Sequence, residues 1–307
     1  MLKRGEWGKE YYLNSVIYFE RINVLINMKI GKYELHQIET GIFGLDGGAM
    51  FGIVPRSLWS KLSSPDEENR IDMALRALLI MGDNRAILVD TGVGNKFTEK
   101  QKRIYRIDQE KENLTASLQR FNLETEDITD VILTHLHFDH AGGATSIEEG
   151  EHVLTFPNAT YYVQKKNYEW ALNPSDKDRG SYLKENFVPL AESEKLQLVE
   201  GEGEILPGIE VLVSNGHTIG QQLVKLSDDK QTLVYCADLI PMASHIKVPY
   251  ITGYDIYPLK TIEEKKSLLS KASSNGWILF LEHDAKSAAV KIEKSEIGFT
   301  VRETICL

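Results

Sequence analysis

The sequence predicts a layered α/β domain, and three observations carry that expectation. From residue 33 onward short strand-like runs alternate with helix-like ones, and Gly, Asp or Asn punctuates them. No internal repeat, low-complexity tract or linker rich in Pro, Gly or Ser divides the 307 residues. The chain is 42% hydrophobic and 9% aromatic, which is ordinary for a chain that builds a packed core.

Strands are expected at Tyr33–Thr40, Ile71–Ile80, Arg85–Val89, Val131–Thr134 and Thr160–Gln164, then at Ile209–Val213, Gln221–Leu226 and Thr232–Cys236. The last two flank Ser227-Asp228-Asp229-Lys230, a polar turn that suggests a hairpin. Helix-like patterns cover Asn113–Phe121, Lys165–Leu172 and Ile262–Ser274. The third opens after Thr261 with Glu264 three residues later, the spacing of a capping box. Trp277–Leu281 reads as a continuous buried strand, and Val290–Glu293 with Phe299–Thr304 as a closing pair.

Composition excludes several classes. With 35 Lys+Arg against 45 Asp+Glu the formal charge is −10, the wrong sign for a bulk nucleic-acid binder. Two cysteines, Cys236 and Cys306, cannot make a disulfide framework or a four-thiolate zinc site. No apolar run approaches the ~20 residues that span a bilayer. Residues 1–27 start basic, but Glu20 and Arg21 interrupt the apolar stretch and no small-residue cleavage site follows, so a signal peptide is not expected. Those residues read as an extension, partly helical or disordered, ahead of a catalytic unit over 28–307, and a cytoplasmic location is the expectation.

The chemistry shows in the histidines. Three of eight fall within six residues, in Thr134-His135-Leu136-His137-Phe138-Asp139-His140, directly after the apolar run Val131-Ile132-Leu133. A strand that ends in His-x-His-x-Asp-His sets four metal-competent side chains on one tight loop. Imidazole nitrogen and carboxylate are the ligands that zinc and its neighbours prefer. Crowding so many titratable groups without a cation costs stability through repulsion or desolvation. His135 and His137 can point one way while Asp139 and His140 point another, so two metals can be served. Further ligands are needed, and each candidate ends a strand-like run: His217 in Gly216-His217-Thr218-Ile219-Gly220, Asp238 after Leu233–Ala237, and His283 in Leu281-Glu282-His283-Asp284.

This ordered series resembles the metallo-β-lactamase-fold superfamily of hydrolases. Ile87-Leu88-Val89-Asp90-Thr91-Gly92 looks like the family's early strand and turn, and Ala141-Gly142-Gly143 matches as well. The resemblance covers residue 30 to the C-terminus and implies a four-layer αββα sandwich, two mixed β-sheets packed face to face with helices outside. It implies that His135, His137 and His217 bind one metal, that Asp139, His140 and His283 bind a second, and that Asp238 bridges them. Asp90 would orient the loop by hydrogen bonds. The metals would be two divalent ions, zinc first, with Fe, Mn or Co as alternatives.

The bridging Asp238 looks more like the lactonases, glyoxalase II and the methyl-parathion-hydrolase-like group than the β-lactam-hydrolysing members. The implied reaction is attack by a metal-bridging hydroxide on an ester, lactone or related bond, with Asp139 and Asp238 as catalytic carboxylates and phosphotriesterase promiscuity open. Lactonases of this kind carry a Tyr shortly after the bridging Asp; here the third residue on is Pro241, and His245, Tyr250, Tyr254 and Tyr257 lie downstream. His245 and Tyr254 are taken as candidate catalytic contacts. Gly44–Asn69, with Met50, Phe51, Pro55 and Trp59, is expected to cover the pocket mouth, favouring a small substrate with an apolar, acyl or aryl group. No nucleic-acid or membrane partner is expected, and a homodimer is left open. The alternatives are a glyoxalase II-like thioester hydrolase, a single-iron sulfur dioxygenase on the same fold, and a non-catalytic metal-binding protein.

Overall fold

The computed structural model of the protein describes residues 28–307. The expected extension over residues 1–27 lies outside the described residues. The chain builds one sheet and then the other. The first half supplies β1 (Met28–Ile30), β2 (Tyr33–Asp46), β3 (Arg70–Gly82), β4 (Arg85–Val89), β5 (Asp130–Ile132), β6 (Thr145–Glu148), β7 (Glu151–Leu154), β8 (Thr160–Gln164) and β9 (Leu196–Val199). Seven of these form a mixed sheet in the order β1-β2-β3-β4-β5-β8-β9, and β6 pairs with β7 as a separate ribbon.

The second half supplies β10 (Gly203–Leu206), β11 (Ile209–Ser214), β12 (Gln221–Ser227), β13 (Thr232–Tyr235), β14 (Ile278–Phe280), β15 (Ala289–Ser295) and β16 (Gly298–Ile305), paired in that order. The expected hairpin across Ser227–Lys230 is present, with Ser227 opposite Thr232 and Asp228 accepting from the amides of Lys230 and Gln231.

Alternation along β3 and β4 decides what each face meets. Leu78, Ile80, Ile87 and Val89 point between the sheets, where they pack in one cluster with Val224, Leu226, Leu233 and Tyr235. Ala77, Leu79, Ala86 and Leu88 point the other way, into a second cluster with Leu118 and Ala171 from the helices Leu114–Gln119 and Lys165–Leu172. On the far side the helix Pro258–Asn275 covers the second sheet with Leu268, Leu269 and Ala272. The layers are therefore helix, sheet, sheet, helix, and buried apolar side chains of this kind each contribute about 1.5–3 kcal/mol. No helix among the described residues is long and apolar enough to cross a membrane.

Two local expectations change. The strand expected at 33–40 runs on to Asp46, absorbing a bulge between Glu39 and Gly41. The helix expected from Ile262 begins four residues sooner, because Pro258 sits in its first turn, where a missing amide proton costs nothing. Thr261 is thus interior rather than a cap. Glu264 turns away from the helix end and accepts hydrogen bonds from the Ser214 hydroxyl and the amides of Asn215 and Gly216.

Candidate metal centre

The parallel pairs set the site. β4 and β5 run parallel in one sheet, as do β13 and β14 in the other. Their C-terminal ends meet at one seam. Beyond β4 lies Asp90, beyond β5 the segment 134–140, beyond β13 Asp238 and beyond β14 His283; the turn between β11 and β12 adds His217. Gln222 stitches the seam, its amide donating to the Thr134 carbonyl and its side chain to that of Leu133.

Backbone contacts hold these loops in place. Thr91 donates to the His140 carbonyl through both its amide and its hydroxyl. Gly142 lies so close to the preceding turn that a Cβ there would stand 2.3 Å from the Val93 carbonyl oxygen. Gly216 is pressed against the helix at Thr261, and a Cβ there would lie 2.3 Å from the Thr261 nitrogen. Ala237, beside Asp238, takes φ 44°, an uncommon conformation for a residue with a Cβ.

All seven expected ligands converge in two groups. In the first, His137 Nδ1 lies 2.9 Å from His135 Nε2 and 3.2 Å from His217 Nε2. Asp238 Oδ2 is 3.2 Å from His217 Nε2. In the second, His283 Nε2 lies 3.3 Å from His140 Nε2 and 3.7 Å from Asp139 Oδ2. Asp238 Oδ1 reaches this group at 3.2 Å from His283 Nε2. One carboxylate thus turns an oxygen to each group.

The outer nitrogens have their own acceptors. His217 Nδ1 donates to Asp255 Oδ1 at 3.0 Å, His140 Nδ1 to Asp90 Oδ2 at 3.1 Å, and His283 Nδ1 to the Ala74 carbonyl at 2.9 Å. With one proton held outside, each Nε2 points inward, where a cation can take the place of a second proton. Asp90 also accepts from the Thr134 amide and hydroxyl, which fixes the start of the loop.

This donor set fits a divalent metal. The Nε2 atoms of His140 and His283 face each other at 3.3 Å, and buried Asp238 Oδ1 has no well-aligned hydrogen-bond partner. Tetrahedral zinc with bonds of ~2.0–2.1 Å sets its ligand atoms about 3.3 Å apart. The spacings of 2.9–3.3 Å in the histidine groups are near that value. Burial, reinforced by neighbouring imidazoles, drives His135 and His137 well below the usual histidine range, so their lone pairs are free near neutrality. For His283 burial opposes the charge, but Asp238 outweighs it and lifts the ring to about 9. Asp238 itself is held well below the carboxylate range, where His217, His140 and His283 overcome the penalty of burial.

Other sequence candidates lie elsewhere. His245 is buried, stacks on Phe51 at 5.1 Å and spends Nε2 on the Met50 carbonyl at 2.8 Å. The structure therefore places it in a core, and not in the open position that the expected catalytic contact would need. Met50, Phe51 and Trp59, expected at the pocket mouth, are also buried in a third cluster with Phe43, Phe138 and Met242. Tyr250 packs edge-on to Phe51, Tyr257 is exposed beside the helix start, and Tyr254 is partly exposed in the loop that carries Asp255. His36 packs on Phe121, away from the seam.

Sequence reasoning missed Asp255 and Glu282. Asp255 is fixed by the Thr252 hydroxyl, while Lys177 Nζ donates to the carbonyls of Tyr254 and Asp255. No spacing signal marks it. Glu282 precedes a ligand, which was visible, but its contact with His140 was not: Oε2 lies 2.9 Å from His140 Nδ1. Burial lifts the Glu282 carboxyl to about 7, although His140 pulls it down.

Comparison with known proteins agrees with this geometry. Residues 76–283 match the metallo-beta-lactamase superfamily. The chain belongs to that superfamily. It is 30% identical over 232 residues to an N-acyl homoserine lactonase of a Bacillus species, covering 70% of this chain and 82% of the relative. It is 33% identical to a solved structure of a probable metal-dependent hydrolase from Staphylococcus aureus, with a TM-score of 0.81 over 91% of this chain and 100% of that one. AidC, described as a dizinc quorum-quenching lactonase, shares the fold at 21% identity and a TM-score of 0.75, covering 92% and 97% of the two chains. The superfamily member described here is a metal-dependent, lactonase-like hydrolase.

Proposed function

We propose that this chain opens the ester bond of N-acyl homoserine lactones or similar acyl lactones, using two zinc ions. The observation that carries the reading is Asp238, whose two oxygens each lie 3.2 Å from a histidine of a different group. His135, His137 and His217 would hold one ion and Asp139, His140 and His283 the other, with Asp238 shared. When bound, such a pair lowers the pKa of water between the ions and polarises the oxygen of an ester carbonyl.

The remaining roles belong to the chain. Asp139 and Asp238 are the ligands with the most exposed side chains, so the ions would face substrate on their side. Asp139 can take a proton there and return it to the leaving alkoxide. Pro241 stands where lactonases carry a Tyr, and Tyr254 is proposed to supply the phenol instead. Burial raises its phenol well above the usual range, with Asp139 adding, so it stays protonated and able to donate to a substrate oxygen. Phe97, Tyr105 and Phe138, the last of them next to Asp139 in the chain, pack with ring centroids 4.9–5.8 Å apart and are proposed to offer an apolar wall for an acyl chain. A complete second group, with its own carboxylate, favours hydrolysis over the single-iron dioxygenase reading.

The test pairs metal content per chain with turnover of acyl homoserine lactones, thioesters and aryl phosphotriesters. Two zinc ions per chain and lactone opening as the fastest reaction are expected. One iron with oxygen consumption, or thioesters as the best substrates, would overturn the proposal.

A further inference from the structure

Glu282 is fully buried, yet neither of its carboxyl oxygens has a well-aligned hydrogen-bond partner. Burying such a group without compensation costs several kcal/mol on transfer scales, so something must offset it. Its neighbour is His140, with Oε2 at 2.9 Å from Nδ1. The well-aligned acceptor of that N–H is Asp90 at 3.1 Å, and Asp90 also serves the Thr134 amide and hydroxyl. Asp90 is therefore explained by loop geometry, whereas Glu282 has only the edge of the His140 ring to justify a carboxyl at this position. The nearby Tyr235 hydroxyl does not satisfy it, since it donates to the Arg76 carbonyl at 2.9 Å.

We propose that Glu282 is a positioning and charge-compensating residue for the cation held by Asp139, His140 and His283, acting through the outer edge of the His140 ring. The inference rests on the two-cation reading above. A ring bonded to a dication becomes more polar at Nδ1–H, and a carboxyl lying against that edge is favoured by it. Without the cation the same carboxyl is a buried group whose one close donor, His140 Nδ1–H, is already shared with Asp90. Glu282 thus favours the loaded state over the empty one, which a residue present only for packing would not do.

The experiment uses the full chain stripped with chelator and titrated with zinc against a competing chromophoric chelator, together with thermal unfolding of the metal-free protein. Glu282→Gln keeps shape and removes the charge. It is expected to bind one zinc as tightly as the parent and the other about 10–100-fold more weakly. Its metal-free form is expected to unfold at the same temperature as the metal-free parent or higher. Glu282→Met, similar in length and wholly apolar, is expected to give the same pair of results and stands in if the Gln variant does not fold. Unchanged affinity at both positions, or a metal-free form that unfolds at lower temperature, would overturn the proposal. A parent chain that binds fewer than two zinc ions would instead overturn the two-cation reading, and this role with it.

Discussion

Asp255 meets His217 across 3.0 Å, carboxylate to Nδ1, and both side chains are buried. The two are 38 residues apart, and the Asp255 loop is itself held by Lys177 from a third segment. Loss of this carboxylate frees the ring to rotate and to change tautomer. Asp255→Ala is expected to weaken zinc binding at the His135, His137 and His217 position by about 10–100-fold, read by chelator competition. Equal affinity in variant and parent would show that the contact does not orient the ligand.

Glu264 acts on the same histidine from a greater distance. Its carboxylate gathers the Ser214 hydroxyl and the amides of Asn215 and Gly216, just ahead of His217. Glu264→Ala is expected to lose about 1–3 kcal/mol of stability, the cost of leaving such donors unpaired. Denaturant unfolding of the metal-free protein measures this, and a change within a few tenths of a kcal/mol would contradict it.

Tyr254→Phe separates chemistry from metal binding. The phenol oxygen is not among the converging donors, so zinc content should be unchanged. Lactone kcat should fall up to about 100-fold, within the range for losing one donor to a developing oxyanion. Full activity in the Phe variant would remove Tyr254 from the proposal.

Acid stability should report on His245. Burial, assisted by Lys265, lowers this ring from 6.5 to about 4. In that window the unfolded chain binds a proton that the folded chain refuses, so stability is lost as pH falls from about 6.5 towards 4. The full loss would be about 3 kcal/mol at 1.36 kcal/mol per pKa unit. His245→Asn, which keeps a donor for the Met50 carbonyl, should flatten that limb relative to the parent in unfolding measured across pH 4–7. Parallel pH profiles would refute the assignment.

The seven converging donors were legible in the sequence because each follows a strand-like run, and a strand end is visible in residue patterns. His135 to His140 also lie within six residues, so local crowding announces them. The supporting carboxylates were harder to see. Asp255 lies in a loop with no periodic signal, and its partner is fixed only by the tertiary path of residues 247–257. Thr261 and Glu264 had the right spacing for a cap, but Pro258 started the helix sooner and left Glu264 free to bind a different loop. The apolar residues of Gly44–Asn69 misled for a related reason: composition cannot tell rim from core, and Trp59 with Phe51 went inside.

The order in which the chain lays down its sheets has a mechanical outcome. Strands up to Val199 complete one sheet, and strands from Gly203 complete the other. Four of the converging donors belong to the first stretch and three to the second. An ion seated between them is a rivet through two plates, so cation uptake would tighten the grip of one half-molecule on the other, and two fragments cut between those strands should hold together better with zinc than without it.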